Sequence, residues 1–383
     1  MRAARFDSVD QLRGAAALAV VVCHLSVSAY VDVPSAGEPH WPWLGLVLGF
    51  GYVGVPLFFV ISGFCIHLPQ ARARAVDAGA RADWRQFFRR RFWRLYPPYA
   101  ASIAVAFGLT MLLGREHPGV IGDLVSHLAL VQTLIPRYFD GLNPPAWTLA
   151  VETQFYLAYP IVFLLFRRFG AWRGLAVVLA ITLAYRIGLN FSPLPAANNA
   201  VLWEFFVARW FEWTCGAVIA EWIAGNVRLP WPLPTFACAA TLLSLAVWSE
   251  WHAWHYQIHL FRELLYGAGF ACLLGATVGR DRGTSTGLGR YLQAVGVYSY
   301  SLYLLHRPIQ FAFEPVAARV TSLPFVVRSG VPSSLLIMAA TTPFVLWAAR
   351  VFYRWVEAPF LERGRRSRQG DGVVVPPAAE KAA

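Results

Sequence analysis

Charged side chains are scarce in this 383-residue sequence. Asp, Glu, Lys and Arg make up 14% of the residues, whereas hydrophobic residues make up 57%. A soluble globular domain of ordinary composition carries about 25% charged residues. The composition therefore excludes an ordinary soluble domain and indicates a membrane protein that crosses the lipid bilayer several times.

Lysine is almost absent, because Lys381 is the only one in the chain. The formal net charge of +12 therefore comes from arginine. These arginines lie in short clusters between apolar segments, which is the pattern that orients helices in a membrane. Membrane orientation explains the charge without a nucleic-acid-binding surface, and we expect no nucleic-acid partner.

The sequence also lacks the short motifs of several site classes. Its five cysteines lie in apolar runs without a C-x-x-C pair, which argues against a disulfide framework and a thiolate metal site. A G-x-S-x-G elbow and a glycine-rich phosphate loop are both missing. His252, His255 and His259 have the spacing of metal ligands, but tryptophans surround them as in an interfacial aromatic belt. We therefore expect no metal site.

Apolar segments long enough to cross a bilayer recur along the chain. We place ten of them at 9–30, 44–68, 96–114, 147–166, 172–190, 202–224, 233–250, 258–279, 291–313 and 331–355. Polar residues interrupt an eleventh segment at 121–136, where we predict a short amphipathic or re-entrant helix. The predicted fold class is an all-α, polytopic membrane helix bundle over residues 1–368, followed by a disordered cytoplasmic tail at 369–383.

Arginine positions predict the orientation of this bundle. If 121–136 does not span, the arginine clusters fall on one side of the membrane. The other side then receives the loops 31–43, 191–201 and 251–257, which contain no Arg or Lys. It also receives 115–146 and 314–330, which do contain arginine. Because positive residues favour the cytoplasmic side, both termini are predicted to be cytoplasmic.

Arg13 and His24 stand at the two ends of the first apolar segment. Their separation of eleven residues places both side chains on one helix face, about 16 Å apart in depth. Ionisable groups inside a membrane are expensive, so the pair is a candidate functional site; the alternative is a topology anchor and a satisfied buried histidine.

Glu152 lies at a depth similar to that of His24, about 9 Å below the outer end of its own helix. The two side chains could therefore meet, with His24 as a general base and Glu152 fixing its tautomer. The alternative is that Glu152 pairs with an arginine or completes a local polar network.

Five motifs, taken together, resemble the integral-membrane acyltransferase family 3. They are VDQLRG at 9–14 leading to His24, GVPLFFVISGF at 54–64, RRRFWRLYP at 89–97, WTLAVE at 147–152 and SYSLYLLH at 299–306. The family includes bacterial O-antigen acetylases, nodulation-factor acetylases and macrolide acyltransferases. The resemblance covers residues 6–360, and we expect the form without the appended soluble domain that some members carry.

The resemblance implies an O-acyltransferase of the bacterial inner membrane that uses acyl-coenzyme A as donor substrate, without a permanently bound cofactor. Arg13 and His24 match the family's Arg-x10-His pattern, and Arg91 and Arg94 match its R-x-x-R pattern. Thr148 replaces the usual serine and keeps a hydroxyl. The implied acceptor is a hydroxyl of a glycan or of a glycosylated product. His24 either activates this hydroxyl directly or carries the acyl group itself.

Further residues are assigned to the two substrates. On the donor side we place Arg13, Arg91 and Arg94, because guanidinium groups suit the phosphates of acyl-coenzyme A. Ser62 and Tyr96 are assigned to the same side. On the acceptor side we place Trp147, Tyr303 and His306. The alternatives are positive-inside anchoring for the arginines and a satisfied core pair for Tyr303 and His306.

A transporter or flippase of a lipid-linked glycan is the alternative function. It would also carry intramembrane charges, but it would be expected to show repeated halves or broken helices in corresponding positions. The sequence shows no internal repeat.

The arginine-poor loops allow the predicted topology to be tested by cysteine labelling. Single cysteines at Ala197 and Ala253 should react with an impermeant reagent added to intact cells, whereas one at Ala78 should react only after lysis. A cysteine at Asp140 should behave like the first two. Labelling of the Asp140 position only after lysis would show that 121–136 crosses the membrane.

Overall fold

The structure is a computed structural model that describes residues 6–28, 48–192, 200–252, 258–281, 287–321 and 333–361. Within these ranges no residue lies in a strand, and the all-α fold class is confirmed. The α-helices are α1 (Asp7–Ser28), α2 (Gly54–Val76), α3 (Trp84–Leu112), α4 (Val120–Leu128), α5 (Trp147–Phe169), α6 (Ala171–Asn190), α7 (Ala200–Trp203), α8 (Phe206–Ile223), α9 (Phe236–His252), α10 (Ile258–Val278), α11 (Gly287–Val297), α12 (Ser299–Thr321) and α13 (Ser333–Phe352).

Six stretches of the described helices are long and apolar enough to cross a membrane. They are Asp7–Leu25, Phe50–Val76, Trp84–Leu112, Pro144–Phe169, Ala171–Asn190 and Leu260–Val278. The chain is therefore a multi-pass membrane protein. The side chains of His252, His255 and His259, the loop 31–43 and the tail 369–383 lie outside the described residues.

Helix α3 begins well before the predicted start of its span at residue 96. The Asp83 carboxylate caps it by accepting a hydrogen bond from the backbone N–H of Gln86 at 2.9 Å. Pro97 and Pro98 lie inside the helix and do not mark its start. The arginine motif 89–94 therefore lies on regular helix, with Arg91 and Arg94 one turn apart on the same face.

The ninth predicted span, 291–313, is divided into two helices. Helices α11 and α12 meet at Tyr298, where the Ser299 hydroxyl donates to the carbonyl of Gly296 at 2.9 Å. Helix α11 packs closely on α1, because a Cβ at Gly296 would overlap the Asp10 carbonyl. The break lets α11 cover α1 while α12 runs in its own direction into the bundle.

The segment 121–136 begins with a short helix, as predicted, and continues as turns and short 3-10 helices. Helix α4 has nine residues and rises about 14 Å, far less than the roughly 30 Å of a hydrocarbon core. Its polar residues Asp123, Ser126 and His127 are buried in the protein, whereas Ile121 and Val125 are about 60% exposed. The helix therefore turns its polar face inward and its apolar face outward.

Helices α2 and α8 cross with their backbones in contact. A Cβ at Gly63 would overlap the Trp213 carbonyl, and one at Gly216 would overlap the Val60 carbonyl. Small residues at both sides of a crossing allow this close approach. As a result the indole N–H of Trp213 reaches the hydroxyl of Ser62 at 3.3 Å.

This crossing predicts opposite effects of alanine at two helical glycines. Gly216→Ala should destabilise the protein by about 1–3 kcal/mol, because the added methyl overlaps a backbone carbonyl that cannot move freely. Gly108→Ala should be neutral or stabilising by up to about 1 kcal/mol, because nothing lies within 4 Å of its Cβ position. Thermal unfolding in detergent measures both, and equal midpoints would contradict the close crossing.

Candidate active site

A central cavity lies between helices α1, α2, α3, α5 and α12 and encloses about 120 Å³. Its polar lining consists of Arg13, Ser62, Arg91, Arg94, Thr148, Glu152, Tyr156, Ser299, Tyr300, Tyr303 and Glu357. Six residues that the sequence analysis assigned to the site therefore meet at one cavity. His24, Tyr96, Trp147 and His306 do not line it.

Three guanidinium groups form one end of the central cavity, near the predicted cytoplasmic ends of α1 and α3. Arg13 lies with one nitrogen 3.6 Å from the sulfur of Cys65. The Arg91 guanidinium lies over the rings of Phe87 and Tyr156, at 5.6 and 5.9 Å from their centroids. Its Nε is buried and donates no hydrogen bond to any residue that the structure describes. This end therefore has a hydrogen-bond donor left over for an anion.

Glu152 lies in the middle of the central cavity. One of its carboxylate oxygens, Oε1, accepts hydrogen bonds from the Ser62 hydroxyl at 2.6 Å and from the Tyr156 hydroxyl at 2.5 Å. These two donors hold the carboxylate against the cavity wall, within electrostatic range of Arg13 and Arg91. A buried carboxylate needs such partners, and Glu152 supplies negative charge beside the arginines.

Hydroxyl groups close the opposite end of the central cavity. The Thr148 hydroxyl donates to the Tyr303 oxygen at 2.9 Å, and the Tyr303 hydroxyl donates to the Pro145 carbonyl at 3.1 Å. Trp147 packs behind this end, stacked on Phe139 with ring centroids 5.9 Å apart. The hydroxyl that the WTL motif keeps is therefore part of the cavity wall.

His24 and His306 form a pair just beyond Tyr303. The ring centroids of the two histidines are 5.0 Å apart, and those of Tyr303 and His306 are 5.7 Å apart. His24 Nδ1 lies 2.9 Å from the Val20 carbonyl and 3.3 Å from His306 Nε2. His306 is fully buried, whereas His24 is half-buried.

The partners of this pair determine its tautomers. A carbonyl oxygen only accepts, so His24 Nδ1 carries the proton that points to Val20. His306 Nδ1 lies 2.8 Å from the Tyr303 carbonyl and carries its proton for the same reason. His24 Nε2 is then unprotonated, and it has no hydrogen-bond partner among the described residues. That nitrogen has the lone pair that a general base needs.

The predicted contact between His24 and Glu152 is not formed. His24 packs against His306 of α12, whereas Glu152 bonds to Ser62 of α2 and to Tyr156 of its own helix. Counting residues along two separate helices does not fix where their side chains meet. Here Glu152 lies nearer the arginines, whereas His24 lies beyond Tyr303. His306, assigned to the acceptor side, is instead the neighbour of His24.

The positions of Tyr96 and Glu357 differ from the predicted site in opposite ways. Tyr96, assigned to the donor side, lies outside the central cavity and donates its hydroxyl to the Leu128 carbonyl at 3.0 Å. Glu357, which was not among the predicted site residues, lines the arginine end and accepts a hydrogen bond from the Ser301 hydroxyl at 2.5 Å. It ends the π-helical turn Tyr353–Glu357, a form of helix common at functional sites. The sequence feature that could have identified Glu357 is its position as a carboxylate within the apolar run 351–361.

The fold and the site define a multi-pass membrane protein with a polar, arginine-lined cavity inside its bundle. The acyltransferase domain model of family 3 matches residues 6–351. The chain belongs to this family, and it is an acyltransferase.

Several curated proteins are similar to the chain. It is 27% identical to the acyltransferase MdmB of Streptomyces mycarofaciens, over 80% of the chain and 79% of that protein. It is 25% identical to the peptidoglycan O-acetyltransferase OatA of Listeria monocytogenes and 26% identical to the putative peptidoglycan O-acetyltransferase YrhL of Bacillus subtilis. These two matches cover 93% and 94% of the chain, but only 56% and 55% of the relatives. No solved structure matches.

Proposed function

We propose that the protein is an O-acetyltransferase of the bacterial cytoplasmic membrane. It transfers an acyl group, most simply acetyl, from cytoplasmic acyl-coenzyme A to a hydroxyl of a glycan or of a glycosylated product. Family membership and the names of OatA and YrhL support an O-acetyl transfer to carbohydrate. The arginine distribution supports cytoplasmic termini.

The observation that carries the proposal is the central cavity, which joins three arginines to hydroxyl groups beside the histidine pair. Arg13, Arg91 and Arg94 bind the phosphates of the donor at the cytoplasmic end, where Arg91 Nε is left without a protein partner among the described residues. The acyl arm then extends past Glu152 towards Thr148 and Tyr303. Along α1 this path is about 16 Å, the rise from Arg13 to His24.

His24 acts as the general base. Its unprotonated Nε2 takes the proton of the acceptor hydroxyl, while the hydroxyl oxygen attacks the thioester carbonyl. The new C–O bond replaces the C–S bond, and the coenzyme A thiolate leaves and takes up a proton. His306 and the Val20 carbonyl accept from Nδ1 and stabilise the imidazolium that forms. Glu152 acts as a positioning residue for the cavity and its arginines.

Substitutions at the two histidines and at Glu152 test this division of roles. His24→Ala should reduce kcat by about 10²–10⁴-fold, the usual contribution of a general base. His306→Ala should reduce kcat less and leave the KM for acyl-coenzyme A unchanged. Glu152→Gln should mainly raise that KM, because the cavity carboxylate neighbours the arginines. Steady-state kinetics with purified protein measure all three.

The exposed His117 supplies the control, and His117→Ala should retain wild-type kinetics. Thermal unfolding in detergent identifies variants that have lost their fold. A folded His24→Ala protein that acylates at near the wild-type rate would overturn the base assignment.

The donor site predicts that lysine cannot replace arginine at the cavity. Arg91→Lys and Arg94→Lys should preserve membrane topology, which depends on positive charge, but each should weaken acyl-coenzyme A binding by about 1–3 kcal/mol. Arg85→Lys on the exposed side of the same helix is the matched control and should bind normally. Calorimetric titration of acyl-coenzyme A measures these affinities. Wild-type affinity in all three variants would leave the cluster as a topology signal.

A further inference from the structure

A second cavity of about 240 Å³, which we call the side pocket, lies between helices α3 and α5. Carbon surface dominates its walls, from Phe88 and Phe92 on α3 and from Leu149 and Leu157 on α5. Leu157 is 66% exposed and Phe92 is 49% exposed, so the pocket lies just behind the lipid-facing surface of the bundle.

Every hydroxyl that lines the side pocket already donates a hydrogen bond within the protein. The Tyr96 and Tyr99 hydroxyls donate to the carbonyls of α4, at 3.0 and 2.8 Å. The Tyr300 hydroxyl donates to the Leu95 carbonyl at 2.8 Å, and the Thr153 hydroxyl donates to the Leu149 carbonyl at 2.9 Å. With these protons used internally, the pocket offers a ligand mainly apolar contact. A hydrocarbon is the chemistry that fits it.

The side pocket borders the central cavity. Five residues line both: Arg91, Leu95, Leu149, Tyr156 and Tyr300. Leu149 directly follows Thr148, whose hydroxyl marks the end of the central cavity nearest the histidine pair. Because Leu149 lines both spaces, a thioester placed at that level lies one side chain away from the side pocket.

We propose that the side pocket binds the hydrocarbon chain of the donor's acyl group, so that the enzyme accepts acyl groups longer than acetyl. This inference rests on the proposed acyl-coenzyme A donor. Thr153 is the specificity-determining residue, because it is the half-buried, small residue on the α5 wall of the pocket. Its size leaves room for the chain.

Calorimetric titration of acetyl-, butyryl- and hexanoyl-coenzyme A into purified protein tests the inference without an acceptor. Each buried methylene should tighten binding about fourfold. Thr153→Phe should remove this gain and leave acetyl-coenzyme A binding unchanged. If Thr153→Phe does not fold, the milder Thr153→Leu serves as the second variant and should reduce the gain. Leu164→Phe, on the exposed face of the same helix, should keep it.

Two results would overturn the side-pocket inference while leaving the proposed function intact. In the first, wild-type protein binds acetyl- and butyryl-coenzyme A with equal affinity, as expected if a bilayer lipid fills the pocket. The other is an unchanged chain-length gain in both Thr153 variants. Absence of binding for every acyl-coenzyme A, acetyl included, would overturn both the inference and the proposed donor.

Discussion

The hydrogen bonds of Glu152 hold the centre of the bundle together. Its carboxylate oxygen accepts from Ser62 of α2 and from Tyr156 of α5, and Ser62 in turn accepts from Trp213 of α8. Three helices are thus joined through one carboxylate. This arrangement depends on the glycine-mediated crossing of α2 and α8, without which Trp213 would not reach Ser62. A charge in a membrane bundle needs such partners, and here they also shape the cavity.

A second polar cluster shows how the same protein treats charges with a structural role. Arg186, Arg209 and Arg262 are paired with carboxylates on α8 and α10, including Glu212 and Glu263. The cluster joins α6, α8 and α10, and its arginines form ion pairs within the protein. Arg91 and Arg94 differ, since no carboxylate of the described chain lies within 4 Å of either. Arginines beside a cavity that have carboxylates in electrostatic range but no direct ion pair are expected of an anion-binding site rather than of packing.

The proposed chemistry separates donor binding from proton transfer along the depth of the membrane. Arginines and Glu152 occupy one part of the central cavity, whereas the His24–His306 pair lies beyond Tyr303 at the other end. In this proposal, His306 takes the supporting role that sequence spacing assigned to Glu152. Two neutral histidines suit an apolar surrounding better than a histidine beside a carboxylate would, because neither has to be charged at rest.

The sequence by itself determined the class of fold, the short helix at 121–136 and six residues of the cavity, because hydropathy and intramembrane polarity are readable along one dimension. Tertiary structure alone decided which of these residues meet. Hydropathy predicts similar depths for Glu152 and His24, but the packing of each helix in the bundle places Glu152 beside the arginines and His24 beside His306. The break at Tyr298 accompanies the packing of α11 on α1, and the π-helical turn brings Glu357 to the cavity. Such contacts join residues far apart in sequence, which periodicity does not encode.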